Sequence, residues 1–178
     1  MTRSFLRKPS PAQMLTVVAL TVGICSSPAS AGEWVNGGTF DPQLGVATNF
    51  LRFLAEEGEG QMTIRCDAVN GLWIDAGVGG NGELPSGAQP GDDIDVSLTL
   101  VAEDGERSVT ATGMLVLRGD GAILVSITSP AVDPVGRLLL QPAERLDITV
   151  AGETRPVSLD GVSEDVQRLA DRCEAWPQ

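Results

Sequence analysis

The chain contains no histidine and no tyrosine, and Lys8 is its only lysine. A histidine-based catalytic triad or a histidine metal ligand is therefore impossible within it. Its three cysteines, Cys25, Cys66 and Cys173, show no C-x-x-C spacing, which removes the usual redox motif. The longest apolar run, Met14 to Ile24, is far short of the roughly 20 residues that a membrane span needs. There is no internal repeat and no heptad pattern.

What is present begins at the N-terminus. Arg3, Arg7 and Lys8 precede that short apolar run, and a small-x-small ending follows at Ala29 and Ala31. This is the pattern of a secretory signal peptide, expected over residues 1–31 with a cut after Ala31. Ile24 stands where a lipoprotein cut before Cys25 would need a small residue. Cleavage would leave residues 32–178 as one domain, in an oxidising periplasmic or secreted compartment, with Cys66 and Cys173 as its cysteines.

Residues 32–178 carry nine arginines against 24 carboxylates, a formal charge of −15. Such a surface repels nucleic acid and anionic membranes and suits a basic protein partner or solubility in salt. Neither a cofactor nor a metal site is expected.

Short alternating runs separated by Gly, Asp and Asn fill the middle. Met62, Ile64, Cys66 and Ala68 share one face of a strand, and Thr63, Arg65 and Asp67 the other. Asn70-Gly71 is a hairpin signal, with Leu72 to Ala76 as the return strand. Residues 77–93 read as a long Gly/Pro-rich loop. Alternation resumes at Ile94, Val96, Leu98 and Leu100, then from Val109 to Leu117, and again at Ile123, Val125 and Ile127. Turns fall at 103–106 and 119–121. Segments 136–141, 146–150 and 154–159 each read as a strand, with Gly152 turning between the last two. Val162, Val166, Leu169, Ala170 and Cys173 then form one stripe of an amphipathic helix, with Ser163 placed to cap it. The expected fold is all-β: a single sandwich or barrel of about eight to ten short strands, closed by one C-terminal helix.

Cys66 on the apolar face of its strand and Cys173 on the apolar stripe of the helix should meet in the core as a disulfide. Gly77, Gly79 and Gly82 spell G-x-G-x-x-G, but Pro85 and Pro90 follow where a dinucleotide site needs a helix. Asp92, Asp93 and Asp95 form the most acidic local stretch. They are the candidate binding residues, although no D-x-[DN]-x-[DN]-G calcium loop surrounds them. Arg118-Gly119-Asp120 spells RGD within a turn made of ordinary turn residues. Trp34 and Trp176 suit anchors that pin the ends of residues 32–178 to the core, the alternative being a binding platform shared with Trp73.

An export signal, an early Trp34, the strand Met62-Thr63-Ile64-Arg65-Cys66 and the closing V-S-L-D-G-V-S…L…C of Val157 to Cys173 form a recognisable layout. It resembles small exported proteobacterial proteins of the invasion-associated locus B type, and accessory proteins of type VI secretion with a similar strand-Gly-helix-Cys ending. The resemblance covers both ends of residues 32–178. It implies a β-rich periplasmic domain with a role in envelope or host interaction, and it supplies no active-site residue.

The functional expectation is a non-enzymatic interaction module of the envelope or secreted space, with no catalytic residues. The alternatives are an inhibitor of a basic cell-wall hydrolase, and a hydrolase working through carboxylates or calcium.

Overall fold

The computed structural model describes residues 32–55, 61–79, 87–119, 121–174 and 176–177. The expected signal segment 1–31 lies outside the described residues, as do Gly82, Pro85 and Asp120.

The described residues form nine strands, most of them built on alternation of apolar and polar side chains: β1 (Glu33–Asp41), β2 (Val46–Leu54), β3 (Met62–Asp67), β4 (Gly71–Gly79), β5 (Asp93–Ala102), β6 (Gly105–Leu117), β7 (Ile123–Ile127), β8 (Arg145–Val150) and β9 (Glu153–Ser158). They form one antiparallel sheet in the order β1-β2-β3-β4-β7-β6-β5-β8-β9. One side of the sheet carries Leu51, Ile64, Ile74, Val125, Leu98 and Ile148, all buried in a single core cluster. The sheet bends around this cluster without closing. Its edge strands β1 and β9 share no backbone ladder, yet the Trp34 indole of β1 donates to the Ser158 carbonyl at the end of β9.

The hairpin after β3 has a three-residue connection, Ala68 to Asn70, with Gly71 in the left-handed region at φ 73°. Gly71 is the glycine that such a loop requires. Val150 and Glu153 pair across a two-residue turn in which Ala151 and Gly152 both have positive φ. Cross-strand hydroxyl pairs, Thr99 with Ser108 and Thr149 with Thr154, each at 2.8 Å, mark the solvent face of β5, β6, β8 and β9.

Among the described residues there are two helices, not one. Segment 136–141, expected as a strand, lies largely in α1 (Asp133–Leu139). Pro134 sits in the first turn, where a missing N–H costs nothing. Val132, Val135, Gly136, Leu138 and Leu139 turn one buried face to the core. Three consecutive leucines satisfy either period, so alternation alone misleads here.

The C-terminal helix α2 (Ser163–Arg172) is where the stripe places it, with Val162, Val166, Leu169 and Cys173 buried. Ser163 does not cap it: Val162 holds the cap position, in helical geometry and without a side-chain cap bond. The expected loop 77–93 is also shorter, since Gly77 to Gly79 continue β4 and pair with β7. Among the described residues, no helix is long and apolar enough to cross a membrane.

Candidate binding site

Cys66 and Cys173 form a disulfide with Cα atoms 5.8 Å apart, bridging 107 positions. β3 aims Cys66 inward beside Ile64, and α2 delivers Cys173 at its C-terminal end. The bond fastens the last helix to the third strand. Trp176 is buried beyond it. Pro177 lies against Gly136 of α1, where an added Cβ would come within 2.8 Å of it. Trp34 packs on Phe53 with ring centroids 5.3 Å apart. Trp34 and Trp176 therefore act as anchors, while Trp73 lies on the opposite face of the sheet.

Asp67, next to Cys66, is fully engaged. Its carboxylate accepts from the backbone N–H groups of Val69 and Asn70, the Asn70 amide and the Thr48 hydroxyl. Burial pushes its pKa up. The Asn70 and Val69 donors and Thr48 outweigh that and hold it below the usual carboxylate value. This carboxylate shapes the β3–β4 turn. In α2, Arg168 and then Asn36 of β1 hold Asp165 low in the same way, against the effect of burial.

The three candidate aspartates lie at the start of β5. Asp92 sits in the preceding turn, where its carboxylate accepts from the Gln89 N–H at 2.8 Å. Asp93 and Asp95 both point outward, and Thr112 of β6 donates to Asp95 at 2.7 Å. Among the described residues, no arginine pairs with any of the three. Nor do three or more Cys, Asp or Glu residues gather to hold a metal ion. Met114, half-exposed, stands opposite Asp93.

The outer face of β2, β3 and β4 is different in kind. Strand register sets Arg52, Thr63, Asp75 and Ser126 side by side, and the row continues through Met114 to Asp93. The next row holds Phe50, Arg65 and Trp73. Arg65 pairs with Asp75 at 2.9 Å and lies 5.8 Å from the centre of the Trp73 ring. Arg52 lies 5.5 Å from the Phe50 ring centre, and its Nε donates to the Thr63 hydroxyl at 3.3 Å. The Phe50 ring lies over Gly37 of β1, so close that a Cβ there would come within 2.6 Å of it. Beneath the guanidinium groups, Thr63 and Asp75 are only 8% and 7% exposed, although both point to the solvent side of the sheet. A concavity of about 250 Å³ opens here, lined by Arg52, Gln61, Thr63, Asp75, Arg118 and the apolar Leu54, among others.

No protein-family model, curated protein or solved structure matches the chain.

Sequence reasoning missed the arginine–aromatic face. Arg52, Arg65 and Asp75 are distant in sequence and meet only through the pairing of three strands. The available signal was a polar-side pattern, Phe50-x-Arg52 beside Trp73-x-Asp75, in a chain with few aromatics and an acidic excess.

Proposed function

We propose that the protein is an exported binding module, without catalysis, that takes a basic protein partner on the acidic outer face of β5 and β6. The observation that carries this reading is the state of Asp92, Asp93 and Asp95. Some carboxylates are neutralised locally: Asp75 by Arg65, Asp104 by Arg107, Asp147 by Arg145, Glu153 by Arg155 and Asp165 by Arg168. Others, such as Glu103, Glu106 and Asp133, have no arginine among the described residues either, but they do not stand three without an arginine within four positions as Asp92, Asp93 and Asp95 do. Asp92, Asp93 and Asp95 have no such arginine among the described residues, and their charge is left for a partner. Met114 beside them adds an adaptable apolar contact inside an acidic rim. Export rests on the signal pattern of residues 1–31, and a Cys66–Cys173 bond is the kind of cross-link that oxidising compartments preserve. Envelope or host association accords with the locus B resemblance.

The test is association of the tagged protein with basic proteins of its own envelope fraction, followed by kinetics on the recovered partner. Binding should weaken steeply between low salt and about 0.5 M salt. Replacing Asp92, Asp93 and Asp95 with Asn should act mainly on the association rate. A partner indifferent to both changes would refute the acidic-face reading. Inhibition of a basic cell-wall hydrolase by the wild type but not by the triple variant would narrow the reading to an inhibitor. Hydrolytic turnover abolished by one carboxylate substitution would replace it with an enzyme.

A further inference from the structure

We propose that the concavity over the ends of β2, β3 and β4 is a second binding site, specific for a small hydroxylated carboxylate of the sugar-acid class. In this proposal Arg52 takes the carboxylate.

The cation comes first. Residues 32–178 hold 24 carboxylates and only nine arginines. Arg52 shares with Arg137 and Arg172 the lack of a carboxylate partner among the described residues, but unlike them it is held by side-chain contacts, a ring below and a hydroxyl beside it, Phe50 and Thr63. Those contacts engage Nε and set the guanidinium carbon 5.5 Å from the centre of the Phe50 ring. They leave both terminal nitrogens, the fork that fits a carboxylate bidentately, without a hydrogen-bond partner among the described residues. The support is rigid. Phe50 can take its place over residue 37 only because that residue is glycine, and Arg52 and Thr63 are register partners one pair in from the end of the β2–β3 ladder. An orienting shell of this kind keeps an anion site preorganised.

The remaining lining decides the class of anion. Arg65 takes Oδ2 of Asp75, and no donor among the described residues hydrogen-bonds Oδ1. A multiply charged phosphate or sulfate placed on Arg52 would be repelled by this nearby carboxylate more strongly than a singly charged anion would, an effect that Arg65 and Arg118 offset only in part. A singly charged carboxylate that also carries hydroxyl groups meets a smaller penalty, and its hydroxyls can donate to Asp75. The Gln61 amide and the Thr63 hydroxyl, on the same wall, can both donate and accept. Leu54, about half exposed on the same outer face as Arg52, offers an apolar patch to the C–H face of a ring. At about 250 Å³ the hollow is at the small end for ligand pockets, which suits one sugar unit and not an extended peptide. Acid, alcohol and ring together describe a hexuronate. This site is independent of the acidic face of β5 and β6, and either can fail without the other.

The experiment titrates the disulfide-bonded protein with sodium D-glucuronate, D-glucose and sodium sulfate at equal ionic strength, following the Arg52 Nε–H and Gln61 amide signals by NMR. Glucuronate should bind saturably and shift those signals. Glucose and sulfate should each bind at least about tenfold more weakly, the size of one charge-assisted hydrogen-bonded contact. Arg52→Gln should lose about tenfold or more in affinity and Arg52→Lys less. Arg137→Gln, at an exposed position of α1, should change nothing. Absence of saturable binding would overturn the proposal, and shifts confined to residues outside the hollow would do the same. Equal affinity for sulfate would reduce the site to general anion attraction, and equal affinity for glucose would remove Arg52 from it. Should Arg52→Gln fail to fold, the wild-type shifts and the Arg52→Lys titration still decide.

Discussion

The indole Nε1 of Trp34 donates to the carbonyl oxygen of Ser158 at 2.7 Å, joining β1 to the end of β9 across 124 positions of chain. No ladder closes that seam, so one side-chain bond, with the Asn36–Asp165 bond beside it, stands where a ninth pairing would otherwise be. Trp34→Phe should keep most of the packing on Phe53 and leave the Ser158 carbonyl without its donor. A loss of about 1–3 kcal/mol is expected, measured by urea denaturation. A Phe variant as stable as the wild type would show that the seam needs no such bond.

The Cys66–Cys173 cross-link makes a second prediction. Replacing either cysteine with serine should cost about 2–5 kcal/mol, and peptide mapping without reductant should recover the linked pair. Two free thiols in protein from an oxidising compartment would contradict the assignment.

Helix α2 separates packing from surface charge. Leu169 is buried in the middle of its apolar stripe, and Leu169→Ala should destabilise by about 2–5 kcal/mol. Arg168→Ala, on the solvent side, should leave the denaturation midpoint close to that of the wild type. Equal midpoints for the two variants would mean that the stripe does not pack.

Gly113 of β6 faces the core at a point of close approach. A Cβ there would lie 2.6 Å from Val125 and 2.8 Å from the Ser126 carbonyl oxygen. Gly113→Ala should therefore cost about 1–3 kcal/mol through overpacking, despite alanine's lower chain entropy. Thermal unfolding checks this, and a raised midpoint would show that β7 can give way.

Asp67 sets a pH dependence. Its carboxyl is held below the ordinary value, near 3.9 in an unfolded chain. Its contribution is thus fully present above about pH 4 and falls away as the pH drops through the folded-state value. Asp67→Asn should be less stable than the wild type at neutral pH, and the gap should close toward pH 3. A gap unchanged over that range would mean that the donors around Asp67 do not favour its charged form.

Much of this fold was legible because one face of most strands is buried. β3, β5, β6 and β7 announce themselves by strict alternation, and α2 by offsets of four and seven, which also placed Cys66 opposite Cys173. The helix α1 was not legible, since Leu138, Leu139 and Leu140 fit both periods and only Pro134 argued for a helix start. β1 and β2 were blurred by Gly37, Gly38 and the outward Phe50, whose ring covers a glycine where alternation expects a polar residue. Asp92, Asp93 and Asp95 could be read as a patch because they are neighbours in sequence. Arg52, Thr63 and Asp75 could not, because only the register of three strands makes them neighbours in space.

The seam has a consequence for timing. β1 comes early in the chain, whereas its closing partners, Ser158 and Asp165, come more than 120 residues later. Hairpins such as β1–β2 and β3–β4 can form from local sequence as soon as it is available. The circuit around the core cannot be completed until Ser158 and Asp165 have arrived. Such non-local closure makes for slow folding. A chain lacking α2 should hold its hairpins yet remain open along one side, unfinished rather than unfolded.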